Sequence, residues 1–254
     1  MGGLTAAGFA ASKGARVVLI EKAPKLGGNA LLSGTSLWTV PSLEVFAERA
    51  PDGDPALGRV LVERFQEAVD WVASTGLELS PPRLVLGYGR GFRFDMAGYL
   101  ERCGRIVEAA GGALVTGHQP KELLLDGGAV GGALVNGEGG DVTVTAPVTL
   151  LATGGFQGSA ELRRLHLGPN WSEALVRANP YSTGDGIRLA MAAGAATAGR
   201  MDTFYGHLIG WPLPHFEGRD DFRRYTLLFS EQSVLLGLDC RRFTDESLGD
   251  ARCS

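Results

Sequence analysis

Apolar residues follow two rhythms along this chain, and the switches between them predict its elements. Leu4 to Lys13 is Ala-rich and helix-favouring, with Gly14 placed to stop it. Val17-Val18-Leu19-Ile20 is short and wholly apolar, which predicts a strand covered on both faces of a parallel sheet and ended by Glu21. Gly27-Gly28-Asn29 and a small-residue stretch through Ser33-Gly34 come next. Over 55–78 the positions Leu57, Val60, Leu61, Phe65, Val69, Trp71 and Val72 recur at helical spacing, and Pro81-Pro82 closes the region. A second helix is predicted over 95–110, ended by Gly111-Gly112.

From 113 to 152 the rhythm becomes that of strands. Ala113-Leu114-Val115, Leu123-Leu124-Leu125, Val130 to Val135 and Val142 to Thr145 are short runs separated by Gly- and Asp-rich turns. Val148-Thr149-Leu150-Leu151-Ala152 predicts another buried strand, ending in Thr153-Gly154-Gly155. Residues 184–197 read as a small-residue helix opened by Gly184-Asp185-Gly186. Beyond that the chain is mixed and richer in aromatic and charged residues, which predicts a domain boundary near 200, with 1–200 and 201–254 on either side. No internal repeat or low-complexity tract is present.

Composition narrows the functional classes. Gly supplies 38 of 254 residues, about twice ordinary usage, with no collagen period. Clusters of them between apolar runs suit tight turns and close backbone approach to a ligand. A net charge of −4 gives no electrostatic reason to expect nucleic acid or an anionic membrane as partner. The three cysteines, Cys103, Cys240 and Cys253, are widely spaced with no CxxC, which predicts a reducing, cytoplasmic setting with neither disulfide framework nor metal site. No apolar run approaches the roughly 20 residues that span a bilayer.

The order glycine, helix, apolar strand, acid has a chemical meaning. In a dinucleotide-binding βαβ unit the last glycine of the turn lets the first helix lie close to the sheet. An acid about 20 residues later then accepts hydrogen bonds from ribose hydroxyls. Gly3 and Glu21 stand at that separation, which makes Met1-Gly2-Gly3 the end of such a motif. The same residues also suit a surface helix followed by an ordinary strand with a solvated Glu.

Further motifs decide between them. Glu21-Lys22-Ala23-Pro24-Lys25-Leu26-Gly27-Gly28-Asn29 through Ser33-Gly34 resembles the segment after the second strand in FAD-dependent enzymes of the fumarate reductase and succinate dehydrogenase flavoprotein family, which includes the 3-ketosteroid dehydrogenases. The meander ending in Ala152-Thr153-Gly154-Gly155-Phe156, the element Ser182-Thr183-Gly184-Asp185-Gly186 and the run Arg242-Phe243-Thr244-Asp245-Glu246 resemble that family's ATGG, TGDG and RFxxE segments. Each is individually unspecific; their order covers nearly the whole chain.

The resemblance implies an α/β fold: a Rossmann-like FAD-binding domain with a β-meander, plus the start of an α+β substrate-capping domain. It implies bound FAD held by Gly2, Gly3, Glu21, Lys22, Gly27, Gly28, Asn29, Ser33, Gly34, Pro120, Thr153, Gly154, Gly155 and Asp185. It also implies hydride exchange between flavin N5 and a C–C or C=C bond next to a carboxylate or ketone, a small-molecule substrate, and an electron donor or acceptor. On the substrate side it points to His207, which follows Asp185 by 22 residues, and to Glu246 for acid–base work. A structural ion pair of Glu246 with Arg241 or Arg242 is the plainer expectation. His118, His166 and His215 have no supporting context. The family's proton-donating Arg is expected just after RFxxE; here Glu246-Ser247-Leu248-Gly249-Asp250 contains none, and Arg252 lies beyond that point. Fumarate reduction itself is therefore not expected, and a larger carboxylate or ketone remains open.

By the same resemblance the chain is expected to lack its first strand and its return from the cap. As a separate polypeptide it is then expected to be poorly soluble and to retain little flavin. Two other readings stand beside this one. A non-catalytic remnant would bind no cofactor, and an NAD(P)-dependent Rossmann enzyme is disfavoured by Gly27-Gly28-Asn29 and the meander.

Overall fold

The computed structural model describes residues 1–33, 35–137, 139–203, 209, 224–227 and 230–248. Contacts divide the chain into two units. The first holds Met1–Gly154 with Asp185–Gly199, and the second holds Gly155–Gly184 with Arg200–Ser254. Residues 155–184 thus associate with the part after 200.

In the first unit α1 (Gly2–Ser12) leads into β1 (Val18–Glu21). β2 (Ser36–Thr39), α2 (Leu43–Arg49), α3 (Pro55–Glu63), α4 (Phe65–Ser74), β3 (Arg83–Val85), β4 (Gly89–Arg93), α5 (Met96–Ala109) and β5 (Ala113–Thr116) follow. β6 (Gln119–Asp126), β7 (Ala129–Gly137) and β8 (Gly140–Thr145) form the meander. In the second unit lies α6 (Ala160–Leu167), and α7 (Asp185–Ala192) returns to the first.

β1 pairs in parallel with β5, from Val18 opposite Ala113 to Glu21 opposite Thr116. The connection between them carries the small antiparallel sheet β2-β4-β3 and helices α2 to α5. β1 is sandwiched as its apolar run predicts: Leu19 packs toward α1 and α5, and Ile20 toward Leu123, Val135 and Leu189 of the meander and α7. Coverage is less complete than predicted, since Val18 at the strand's start is 51% exposed.

Helices α1 and α5 approach closely because of Gly8. A Cβ there would stand 3.3 Å from the Cys103 backbone, so a larger residue would push the two axes apart by a few tenths of an ångström. Tyr99 and Cys103 beneath are fully buried, and burial pushes the Tyr99 phenol up to about 12 and the Cys103 thiol above its ordinary value. The Tyr99 hydroxyl bonds Thr5 Oγ1 at 2.9 Å and accepts from Trp71 Nε1 at 2.9 Å, tying α5 to α1 and α4.

The structure corrects three expected elements. The continuous helical spacing over 55–78 becomes two helices broken at Arg64. Leu57, Val60 and Leu61 on α3 stay largely exposed, whereas Phe65, Val69 and Val72 on α4 are buried. A break lets α4 turn its stripe inward independently of α3, and Asp54 caps α3 by accepting from the amides of Ala56 and Leu57. The helix expected over 184–197 ends at Ala192, ahead of Gly194 at φ 94. The run Val148–Ala152 forms no strand: it pairs with no described strand, and Val148 and Leu150 are 81% and 65% exposed.

Candidate functional site: two helix N-termini and a strand tip

The first unit gathers its polar loops around one turn. Gly3, in the first turn of α1, lies against Ala152, where an added Cβ would stand 3.3 Å from the Ala152 Cβ. On the other side Gly186, in the first turn of α7, donates its amide to Thr153 Oγ1 at 3.2 Å. A Cβ at Gly186 would meet the same Oγ1 at 2.2 Å, so the glycine is required for that approach. The Ala152-Thr153 turn is therefore held by the N-termini of two helices.

The tip of β1 joins them. Burial lowers the pKa of the Met1 amine, partly offset by the Glu21 carboxylate, which lies within electrostatic range of the start of α1. Glu21 Oε1 accepts from the Ala23 amide at 2.9 Å, so the loop's own backbone orients the carboxylate. Two backbone bonds pin the tip to the start of the meander, His118 N–H to Glu21 O at 3.1 Å and Gly117 N–H to Ala23 O at 3.0 Å. Lys22 reaches Asp185 at the start of α7, Nζ to Oδ2 at 2.5 Å, with side chains only 17% and 14% exposed. Gln119 Nε2 donates to the other Asp185 oxygen at 3.5 Å. An acid at a helix N-terminus is favoured by the helix dipole, and the ammonium offsets the rest of its charge.

Such an arrangement can receive an anion and a ribose together. Met1 makes no side-chain cap to α1, whose first turn contains no acid, so no side chain of the helix start caps its leading amides. A Cβ at Gly2 would meet no atom within 4 Å, leaving room for a group to approach those amides. Glu21 supplies the acceptor that ribose hydroxyls need. After β1, Gly27 and Gly28 adopt φ 130 and 54, which aim backbone amides in directions that L side chains disfavour. These features fit the pyrophosphate and adenosine of a dinucleotide.

The family described as "FAD binding domain" matches residues 1–224. The chain belongs to that family. Its cofactor is FAD, and its relatives in sequence are flavoprotein oxidoreductases of the fumarate reductase kind. A fumarate reductase (cytochrome) of Shewanella frigidimarina is 31% identical over 232 residues, covering 76% of this chain and 38% of the relative. An NADH:fumarate oxidoreductase of Klebsiella pneumoniae is 27% identical over 219 residues, covering 77% of this chain and 24% of the relative. The chain thus spans less than half the length of these curated relatives. Among solved structures, the open conformation of a flavocytochrome c3 fumarate reductase superposes with a TM-score of 0.75 at 24% identity, over 95% of this chain and 46% of that one. A 3-ketosteroid Δ1-dehydrogenase from Sterolibacterium denitrificans gives a TM-score of 0.75 at 18% identity, over 97% and 62%. These likenesses establish the α/β FAD-binding fold.

Within this FAD-binding frame the structure brings Gly2, Gly3, Glu21, Lys22, Thr153 and Asp185 into the first unit's loop cluster. Pro120 is the second residue of β6, opposite Val135 and next to Gln119. Gly28 and Asn29 begin a 3₁₀ turn closed by Ser33, whose Oγ accepts from the Thr35 amide at 3.4 Å. Gly154 ends the first unit's main segment, and Gly155 belongs to the second unit. Gly34 and His207 lie outside the described residues. Sequence reasoning missed Gln119 and the pairing of Lys22 with Asp185; separated by 163 positions, that pair leaves no local signal.

In the second unit Arg163 is 6% exposed and donates to the carbonyls of Gln157, Trp171 and Ser172. Glu246, expected in acid–base work, is engaged through both oxygens. Oε1 accepts from the Leu235 amide at 2.6 Å, and Oε2 accepts from Arg242 Nε and Nη2 at 2.8 and 2.5 Å. The Arg242 guanidinium, then the backbone amides, hold its carboxyl down at about 2. A proton donor needs the opposite shift, so the geometry is that of a brace across the turn.

That brace is pH-dependent with a definite sign. A carboxyl whose pKa is lowered on folding stabilises fully above its unfolded value of 4.5 and loses the contribution as pH falls through about 2. Urea midpoints of the parent chain and Glu246→Gln are expected to differ near neutrality and to converge only as the pH falls below about 2. A gap that persists unchanged in acid would exclude this role.

Proposed function

We propose that the chain supplies the adenosine-diphosphate half of an FAD site in an oxidoreductase acting on a C–C or C=C bond next to a carboxylate or ketone. When bound, FAD supplies a flavin N5 that exchanges hydride with a substrate carbon. The carrying observation is the approach of the α1 and α7 N-termini to the Ala152-Thr153 segment, with the residue after Glu21 tied to α7 through Asp185. The α1 amides and the Gly27-Gly28 turn hold pyrophosphate, Glu21 orients the adenosine ribose, and Gly186 holds the Thr153 turn in place. Residues 1–200 carry this site, and 201–254 begin the substrate cap, where His207 is the proposed contact to substrate. Glu246 orders the cap's turn.

The relatives' names support this substrate class: two act on fumarate, and a structural neighbour on a 3-ketosteroid. Both are carbonyl compounds activated at the adjacent carbon. A small-molecule substrate and a separate electron donor or acceptor are part of the proposal, as is a cytoplasmic setting. Among the described residues no helix is long and apolar enough to cross a membrane.

The test begins with titration of the chain by FAD, by FMN and by NAD, followed by flavin fluorescence or protein fluorescence. Tighter binding of FAD than of the other two is expected. Anaerobically reduced, FAD-loaded chain is then mixed with α,β-unsaturated carboxylates and α,β-unsaturated ketones. Reoxidation by one class identifies the acceptor; none by either would remove the substrate assignment while leaving the cofactor site standing.

A further inference from the structure

We infer that Lys22 and Asp185 are positioning residues: their ion pair is a clamp that fixes the β1 tip, and so the Glu21 carboxylate, for the ribose of the bound dinucleotide. The inference rests on the proposed role of Glu21.

Three observations carry it. Lys22 immediately follows the ribose acid, yet its ammonium contacts Asp185, 163 residues later, rather than open solvent. Both side chains are mostly buried, and Gln119 of β6 adds a hydrogen bond to the same carboxylate. The backbone of residues 21–23 is already bonded on the meander side through His118 and Gly117. The clamp secures the α7 side, so the tip is held from both directions. A carboxylate that must accept from two hydroxyls gains affinity when its backbone is fixed beforehand, because less freedom is lost on binding. An ion pair with a merely structural role would add stability without altering what Glu21 contributes.

A double-mutant cycle separates these roles. The clamp is removed by Lys22→Met with Asp185→Asn, which leaves no unpaired buried charge, and Glu21→Gln is made in both backgrounds. FAD affinity is read by titration, with FMN, which lacks adenosine, as the control ligand. In the parent chain Glu21→Gln is expected to weaken FAD about 10-fold. In the clamp-less chain the same change is expected to cost about threefold or less. Lys22→Arg, which keeps the charge, should restore much of the Glu21 sensitivity.

An equal Glu21 effect in both backgrounds overturns the clamp alone. No effect of Glu21→Gln in the parent chain overturns the ribose reading, and the clamp with it. Should the clamp-less chain fail to fold, Asp185→Glu carries the test, since its longer arm shifts the tip while keeping the pair. Undiminished Glu21 sensitivity in that variant overturns the clamp as well.

Discussion

Lys22→Met, with Asp185 left in place, is expected to destabilise the first unit by about 1–3 kcal/mol. The two side chains are 17% and 14% exposed, so removing the ammonium takes a short ion-pair contact from a carboxylate that water reaches poorly. The hydrogen bond from Gln119, at 3.5 Å, is long and replaces little of the lost attraction. The helix dipole of α7 recovers only part, typically under about 1 kcal/mol. Urea denaturation followed by far-UV circular dichroism measures the loss. A change below about 1 kcal/mol would put the pair in the class of exposed ion pairs and sink the idea of a buried contact. Removing both charges together should cost less than removing one, since no uncompensated charge remains.

Glu21→Ala should affect binding more than stability. A carboxylate accepting from ribose hydroxyls makes charge-assisted bonds of about 1.5–3 kcal/mol. FAD affinity should therefore fall roughly 10- to 100-fold. FMN affinity should be unchanged, because FMN has no adenosine for Glu21 to hold. The unliganded chain loses one local bond, from the Ala23 amide to Glu21 Oε1, so its urea midpoint should move little. Equal weakening of FAD and FMN would mean that the substitution disturbs the loop generally, and the ribose assignment would fail.

The elements that declared themselves in the sequence are those whose pattern is local. α1, β1, α5 and the meander strands carry their apolar spacing within a few residues, and tertiary contacts only confirm it. β2, β3, β4, α2 and α6 went unread. β4, for example, reads Gly89-Arg90-Gly91-Phe92-Arg93, with no apolar alternation. Its glycines are there because a Cβ at Gly91 would meet Trp38 Cβ at 2.5 Å across the sheet. That demand comes from the partner strand, which no local window contains. Val148–Ala152 shows the converse. Its composition is that of a buried strand, but a strand exists only where a neighbour completes the hydrogen bonds.

For the site, the spacing of Gly3 and Glu21 pointed only to a dinucleotide, and it was the family resemblance carried by the ordered motifs that pointed to FAD. Which groups touch was decided in three dimensions. Lys22 and Asp185 both looked like cofactor contacts, and folding pairs them with each other. Glu246 read either as a candidate acid or, more plainly, as an ion-pair partner of Arg241 or Arg242, and folding pairs it with Arg242 and the Leu235 amide. Sequence spacing governs where backbone turns and helix ends can lie; the charge state and partner of a side chain depend on neighbours brought in from afar, and only packing supplies them.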